Sequence, residues 1–226
     1  MDIIESARAA GLTTLSEHQA KQVLAAYDIP VTDERVVADA DAAVVAAGEI
    51  GFPVALKASG AELLHKTEHE AVALGLKDAG AVRQAADRLL KAGIPGMEGL
   101  LVQQMIPSGR ELLVGMTRDA QFGPVVAFGL GGVFTEVLKD VSFRIAPLTG
   151  QDALDMMQEI RAHKLLDEFR GMPPVDRDVL AGLLVNVGRL AMELGDVAEL
   201  DINPLMVGAG GPVAVDALIR LTDPKS

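Results

Sequence analysis

Residues 199–205 read Glu-Leu-Asp-Ile-Asn-Pro-Leu, and polar and apolar side chains alternate along them. Successive side chains of a β-strand point to opposite faces of its sheet, so the three oxygen-bearing residues share one face while Leu200 and Ile202 share the other. The alternation predicts a strand over residues 198–207. A second strand is expected over residues 212–218, after a glycine-rich turn, so the chain is predicted to close with two antiparallel strands.

Four polar side chains of these two strands form a candidate cation site. Glu199, Asp201 and Asn203 occupy every second position of the first strand, and Asp216 lies on the facing strand. Carboxylate and amide oxygens are suited to a hard cation such as Mg²⁺ that bridges phosphates. The alternative is a solvated face of an edge hairpin, which accounts better for one acidic residue than for four converging polar ones. We therefore favour a metal site.

Helices and strands alternate in the first half of the chain, and β-hairpins gather in the second half. Helices are expected over residues 16–27, 39–49, 79–91, 151–160 and 176–194. The turn signal Pro107-Ser108-Gly109 predicts that strands over residues 100–106 and 111–117 pair with each other. The pattern favours an α+β fold with antiparallel sheets over a doubly wound parallel sheet, with a weak boundary at residues 93–99.

The composition of the 226-residue chain excludes several classes of protein. Its 50% hydrophobic residues suffice for a sizeable core, which excludes disorder as the main state. A net charge of −12 disfavours nucleic acid as a partner but allows a nucleotide, which needs only a few local cations and backbone amides. Without cysteine there is no disulfide or thiolate site. The absence of a membrane-spanning stretch or signal-peptide pattern predicts a soluble, cytoplasmic protein.

Two further features suit a phosphate group. Lys57 ends an apolar strand, where it either reaches solvent or, together with the carboxylate site, serves as a phosphate-binding charge. Residues 129–132 read Gly-Leu-Gly-Gly, and clustered glycines let backbone amides approach a phosphate, although a tight turn explains them equally well. Arg144 follows soon after, and it either faces an anion or pairs with Asp140.

Two of the four histidines lie in an irregular segment. His65 and His69 form a His-x₃-His pair with acidic neighbours, which suggests zinc, but that geometry requires a helix. A solvated loop histidine is the ordinary interpretation. The alternative is a phosphoryl acceptor, because imidazole is capable of covalent catalysis.

The chain as a whole resembles a known family. The motifs that carry the resemblance are residues 51–57 (Gly-Phe-Pro-Val-Ala-Leu-Lys), 65–68 (His-Lys-Thr-Glu), 128–137 (Phe-Gly-Leu-Gly-Gly-Val-Phe-Thr-Glu-Val), 140–148 (Asp-Val-Ser-Phe-Arg-Ile-Ala-Pro-Leu) and 199–205. They resemble the ATP-grasp domain of the ADP-forming (NDP-forming) acyl-CoA synthetases, the β-subunit-type domain of acetate–CoA ligase (ADP-forming). The chain is also distantly similar to the β subunit of succinyl-CoA synthetase. The match runs from about Leu15 to Leu221, nearly the whole chain.

The resemblance implies a fold and a set of roles. One ATP-grasp domain over residues 1–226 would consist of two α+β lobes, A over about 16–98 and B over about 99–222, that clasp the nucleotide with antiparallel sheets. The residues that contact ATP or ADP would be Lys57 at the phosphates, Gln103, Gln104 and Met105 at the adenine, Glu111 at the ribose or neighbouring polar groups, and Gly131 and Gly132. The Mg²⁺ ligands would be Asp201, Asn203 and Asp216. The catalytic residues would be His65, which takes a phosphoryl group, and Arg144 near that group.

The family reaction converts acyl-CoA, ADP and phosphate to acid, CoA and ATP through an acyl phosphate and a phosphohistidine. The CoA-binding half is missing here, so the resemblance implies a heteromer in which an α-type partner subunit supplies the sites for CoA and the carboxylic acid. One departure is that Glu70 and Ala71 stand where the family usually carries two glycines. The alternatives are a nucleotide-binding regulatory module weakened by this change, or another ATP-grasp carboxylate ligase such as a carboxylate–amine ligase.

Overall fold

The computed structural model describes residues 2–61, 63, 71–107, 109–132 and 140–223. Within them the elements are, in chain order, α1 (Asp2–Ala9), α2 (Glu17–Ala26), β1 (Glu34–Val37), α3 (Ala40–Ile50), β2 (Val54–Ser59), β3 (Val72–Leu76), α4 (Ala79–Lys91), β4 (Gly99–Gln104), β5 (Arg110–Asp119), β6 (Gly123–Leu130), β7 (Val141–Ile145), α5 (Gly150–Glu159), a 3₁₀ helix (His163–Leu166), α6 (Arg177–Glu193), β8 (Val197–Gly208), β9 (Gly211–Ala214) and β10 (Ala217–Leu221). The expected α+β class with antiparallel sheets is confirmed.

The chain divides into two compact units. The small unit comprises Thr14–Gln19 and Thr32–Ile106, and the large unit comprises Met1–Thr13, Ala20–Val31 and Pro107–Ser226. The predicted lobes were instead divided near residue 99. The difference concerns β4, which hydrogen-bonds to β1 and β2 and therefore belongs to the sheet of the small unit.

The small unit is built on an antiparallel sheet in the order β1-β4-β2-β3, with α3 and α4 against one face. An aspartate caps the start of each helix: Asp39 accepts a hydrogen bond from the amide of Ala42, and Asp78 accepts one from that of Ala81. Small and branched side chains fill the space between helices and sheet, among them Ala43, Leu56, Val82, Ala86 and Leu100.

The large unit is built on a six-stranded antiparallel sheet in the order β10-β8-β5-β6-β7, with β9 paired to β8. The helices α5 and α6 pack on one face of this sheet. Thr149 and Asp152 form a capping box at the start of α5, and Asp176 caps α6. We call this the helix-covered face; it buries the apolar side chains of Met116, Val126, Leu200 and Ile202 among others.

The predicted alternation along the strand of residues 198–207 is confirmed, since Leu200 and Ile202 are buried on β8 while Asp201 and Asn203 are partly exposed. The expected pairing of residues 100–106 with 111–117 is wrong. The strand β4 lies in the small unit's sheet, whereas β5 pairs with β6 and β8 in the large unit's sheet. The chain at Pro107 therefore connects two sheets rather than two strands of one hairpin.

The last predicted strand, residues 212–218, is two strands. A break at Val215 and Asp216 separates β9 from β10, so Asp216 lies in a connection and not on a strand. None of the helices described here combines the length and apolar character that crossing a bilayer requires. The predictions made for His65, His69, Glu70 and residues 133–138 lie outside the described residues.

Candidate functional site

The acidic residues of β8 lie on the face of the large sheet opposite α5 and α6. Asp201 is in register with Gly115 on β5, and Gly115 is in register with Ala127 on β6. Ala127 is in turn in register with Phe143 on β7. Directly opposed residues share a face. We call this the acidic face, defined by Glu199, Asp201 and these cross-strand neighbours; a cavity of about 160 Å³ lies over it.

Two other carboxylates act on the charge of Asp201. The pKa of Asp201 is raised from 3.8 to about 6, first because burial disfavours its charge and then because the carboxylates of Asp216 and Glu199 repel it. This repulsion places Asp216 close to Asp201 although it lies between two strands. Asp216 and Glu199 therefore lie within range of the Asp201 charge, and the metal site stays a prediction.

The glycine loop after β6 closes against the same region. The amide of Gly131 donates to the carbonyl of Glu111 at 2.8 Å, and that of Gly132 donates to Oδ1 of Asn203 at 3.4 Å. A Cβ at Gly131 would lie 2.7 Å from the carbonyl oxygen of Leu112. Gly132 has φ of +67°, a conformation that strains any other residue, and a Cβ there would require the Glu111 carboxylate to move. Glycine is therefore required at both positions, and the loop links Glu111 to Asn203.

The donor set predicted to hold Mg²⁺ consists of two carboxylates, Asp201 and Asp216, and the amide oxygen of Asn203. In the described part of the chain, no three His, Cys, Asp or Glu side chains are grouped as metal ligands. The predicted set is not of that type, because its third ligand is the side-chain amide of Asn203. Oxygen donors of this kind suit a hard cation, and a cation would offset the repulsion that raises the pKa of Asp201. The residues present therefore fit the ion.

A larger cavity of about 350 Å³ adjoins Glu111 and Gly131. The 3₁₀ helix and the following turn supply Leu165, Phe169 and Met172 to its wall. Arg110 fixes this segment, since its guanidinium donates to the carbonyl oxygens of Leu165 and Asp167. Residues 163–172 carry no periodic pattern, so the sequence gives no indication of this cavity.

The small unit holds the other predicted nucleotide contacts on the sheet face away from α3 and α4. Lys57 is 6% exposed, and its Nζ lies 2.6 Å from Oε1 of Glu17 at the start of α2. Gln103 is buried beside it on β4, in register with Glu34 on β1. Oε1 of Glu34 lies 2.8 Å from Nδ1 of His18, at hydrogen-bonding distance. The expectation that Lys57 either reaches solvent or serves a phosphate did not include this ion pair.

The remaining hinge residues lie at the end of β4. The amide of Gln104 donates to the carbonyl of Asp33 at 2.8 Å, and its side-chain oxygen accepts from the Asp33 amide at 3.3 Å. Met105 follows and is half-buried. The backbone after β4 is thus fixed to the segment that precedes β1.

Arg144 lies on the helix-covered face. It is in register with Val126 on β6. Val126 is in register with Met116 on β5, and Met116 with Leu200 on β8. Its guanidinium makes two hydrogen bonds to Glu159 of α5, at 2.9 and 2.5 Å. The structure therefore does not group Arg144 with the acidic residues, which lie on the opposite face, and its assignment to catalysis stays a prediction.

The alternative partner considered for Arg144 was Asp140, and the structure gives that residue another role. The buried carboxylate of Asp140 accepts from the amides of Arg161 and Ala162 at 2.7 and 2.8 Å. It therefore fixes the chain after α5.

Comparisons with known proteins agree with this geometry. The family model for the ATP-grasp domain matches residues 6–221. The β subunit of the ADP-forming acetate–CoA ligase I of Pyrococcus furiosus is 42% identical, with 97% of each chain covered. The solved acetyl-coenzyme A synthetase 1 of Candidatus Korarchaeum cryptofilum, described as dinucleotide-forming and in complex with coenzyme A, Ca-AMPCP and HgCl⁺, is 42% identical; the match covers 98% of this chain and 99% of that chain with a TM-score of 0.94.

A second structure of the Korarchaeum enzyme contains coenzyme A and Mg-AMPPCP, with a phosphohistidine segment that points towards its nucleotide-binding site. It is 42% identical to this chain, covers 98% of this chain and 99% of that chain, and has a TM-score of 0.88. The predicted resemblance is confirmed: the chain belongs to the ATP-grasp family, among the relatives of the β subunits of ADP-forming acetate–CoA ligases.

Proposed function

We propose that the chain is the β-type subunit of an ADP-forming acid–CoA ligase. The observation that supports the proposal is that Asp201 and Asp216 interact by charge, while Asn203, two residues after Asp201, accepts a hydrogen bond from Gly132 of the glycine loop. This arrangement places oxygen ligands for a cation beside a glycine loop whose backbone is fixed by hydrogen bonds. It occurs in a chain that matches such β subunits over nearly their whole length.

The proposed reaction proceeds in three transfers. The γ-phosphoryl group of ATP passes to an imidazole nitrogen of His65: a P–N bond forms, the bond to the ADP oxygen breaks, and the imidazole proton is released. The phosphoryl group then passes to a carboxylic acid, which gives an acyl phosphate and free histidine. The thiol of CoA finally displaces phosphate, so acid, CoA and ATP yield acyl-CoA, ADP and phosphate.

The nucleotide contacts follow from the predicted residues. Lys57 supplies a positive charge to the phosphates, and Gln103, Gln104 and Met105 contact the adenine. Glu111 accepts hydrogen bonds from the ribose or neighbouring hydroxyl groups, and Gly131 and Gly132 let the backbone approach closely.

Asp201, Asn203 and Asp216 would hold Mg²⁺, which neutralises phosphate charge when bound. In a protein with a net charge of −12, such neutralisation reduces the repulsion of an anionic substrate.

The proposal includes a partner. An α-type subunit would bind CoA and the carboxylic acid, and the phosphorylated His65 would deliver its group there. Because ATP and CoA are metabolites of the cytoplasm, we place the reaction in that compartment.

The experiment has two stages. The chain is incubated with Mg-ATP and digested under alkaline conditions, and the peptides are examined by mass spectrometry. A phosphoryl label is expected on the peptide that contains His65. It should disappear in His65→Ala and persist in His69→Ala, which is the matched control within the same segment.

In the second stage, an α-type subunit of an ADP-forming acetate–CoA ligase is added, and ADP release is measured. Release should require acid, CoA and Mg²⁺ and should fall to background with EDTA. Turnover with the label on His69, or with no label in rapidly quenched samples, contradicts the role of His65. Nucleotide binding without any label or turnover would favour the regulatory module instead.

A further inference from the structure

We propose that Glu17 is a positioning residue that holds Lys57 charged and oriented for the phosphate groups of the nucleotide. The inference rests on the proposed role of Lys57 as a phosphate contact and extends it to a residue that the sequence pattern did not single out.

The two side chains form a buried ion pair within the small unit. Lys57 is 6% exposed and Glu17 is 4% exposed, and Nζ and Oε1 are 2.6 Å apart. An isolated ammonium group at such a site would tend to lose its proton, because burial disfavours charge. A neighbouring carboxylate counters this effect. Glu17 therefore supplies the interaction that keeps a buried lysine positively charged.

The position of Glu17 is itself fixed by the start of α2. The amide of Ser16 donates to Oε1 of Gln19 at 3.0 Å, and the amide of Gln19 donates to Oγ of Ser16 at 3.3 Å. These reciprocal bonds form a capping box. Glu17 is the first residue of the helix, so its backbone does not depend on the ion pair for its conformation.

The location of Glu17 at the N-terminus of α2 also affects the net charge of the ion pair. The positive end of the helix dipole partly offsets the carboxylate charge of Glu17, so the ion pair does not cancel the charge of Lys57 completely. An ammonium group has three N–H donors, and one of them is directed to Glu17. This bond restricts the position of the ammonium group. Phosphate binding then requires less ordering of the lysine side chain.

The proposal is tested with three variants and two ligands. Glu17→Gln removes the charge at nearly constant volume, Glu17→Asp retains it, and Lys57→Met removes the ammonium group. The affinities for Mg-ADP and for adenosine are measured by calorimetry. The matched control is Asp41→Asn, which breaks an exposed ion pair with Arg83 in the same unit.

Glu17→Gln should weaken Mg-ADP at least 10-fold while changing adenosine affinity less than 2-fold, and Glu17→Asp should recover most of the loss. In the Lys57→Met background, Glu17→Gln should have no further effect on Mg-ADP. Asp41→Asn should match the wild-type protein. A charge-positioning role predicts this dependence on phosphate and on Lys57, whereas a merely structural role lowers the affinity for both ligands.

Unchanged or tighter binding of Mg-ADP by Glu17→Gln overturns the inference, because Glu17 then competes with phosphate or has no influence on it. Equal losses for Mg-ADP and adenosine also overturn it. The proposed function fails separately: if Lys57→Met binds Mg-ADP as tightly as the wild-type protein, Lys57 is not a phosphate contact. If Lys57→Met loses affinity while Glu17→Gln does not, only the inference about Glu17 is wrong.

Discussion

Replacing Asp201 by asparagine should stabilise the protein at neutral and alkaline pH in the absence of divalent cations. The carboxyl group has a pKa of about 6 in the folded protein and 3.8 as its ordinary value, because burial and the carboxylates of Asp216 and Glu199 disfavour its charge. The difference corresponds to about 3 kcal/mol at full ionisation. Asparagine has nearly the same shape and no charge, so it removes this penalty.

The sign of the pH dependence follows from proton binding. Below pH 3.8 the group is protonated in both states and no penalty arises. As the pH rises towards 6, the unfolded chain releases its proton before the folded protein does, so the stability of the wild-type protein falls. Above pH 6 the penalty is complete. The variant should therefore gain up to about 3 kcal/mol at pH 8 and almost nothing at pH 4.

Urea unfolding followed by circular dichroism measures the gain, in EDTA at pH 4 and at pH 8. Asp119→Asn is the contrasting control, because the amides of Phe122 and Gln121 lower the pKa of Asp119 and its ionised form is favoured. That variant should show no gain at pH 8. Equal stability of Asp201→Asn and the wild-type protein at pH 8, or a gain that is the same at both pH values, would refute the electrostatic reasoning.

Two further substitutions test other contacts. Gly132→Ala should lower the unfolding free energy by about 1–3 kcal/mol and weaken Mg-ADP, because φ is +67° and Cβ would require the Glu111 carboxylate to move; Gly171→Ala, at φ +79° with nothing within 4 Å, should be strained without affecting calorimetric Mg-ADP affinity. Arg144→Ala and Glu159→Ala should show a small favourable coupling in a double-mutant cycle of unfolding, because solvent screens a partly exposed ion pair. No measurable coupling would contradict the importance of that pair, and a loss of phosphoryl transfer in Arg144→Ala alone would support its catalytic assignment.

Local periodicity predicted much of the fold correctly. The alternation along β8 placed Asp201 and Asn203 on the face opposite Leu200, and the helix expected over residues 176–194 corresponds to α6. Both patterns lie within one element, where neighbouring side chains alone set which face is buried.

Pairing between distant segments was harder to predict. Pro107 indicated a turn between β4 and β5. The partners of β4 are β1 and β2, which lie tens of residues earlier in the chain, so the segment at Pro107 connects two sheets. The ion pair of Glu17 with Lys57 joins residues 40 positions apart. A helix-start pattern around Glu17 indicates the helix but contains no information about which strand its side chain meets.

The large unit's sheet also explains how a repulsive group of carboxylates is tolerated. Its helix-covered face buries Met116, Val126 and Leu200, whose removal from water contributes roughly 1.5–3 kcal/mol for each large side chain. One such side chain offsets most of the penalty of about 3 kcal/mol that we assign to Asp201. Because side chains on opposite faces of a strand make separate contacts, the acidic face is free to carry charges that lower stability. The stabilisation expected for Asp201→Asn therefore does not imply better nucleotide binding. We expect this variant to be more stable than the wild-type protein and to bind Mg-ADP less tightly.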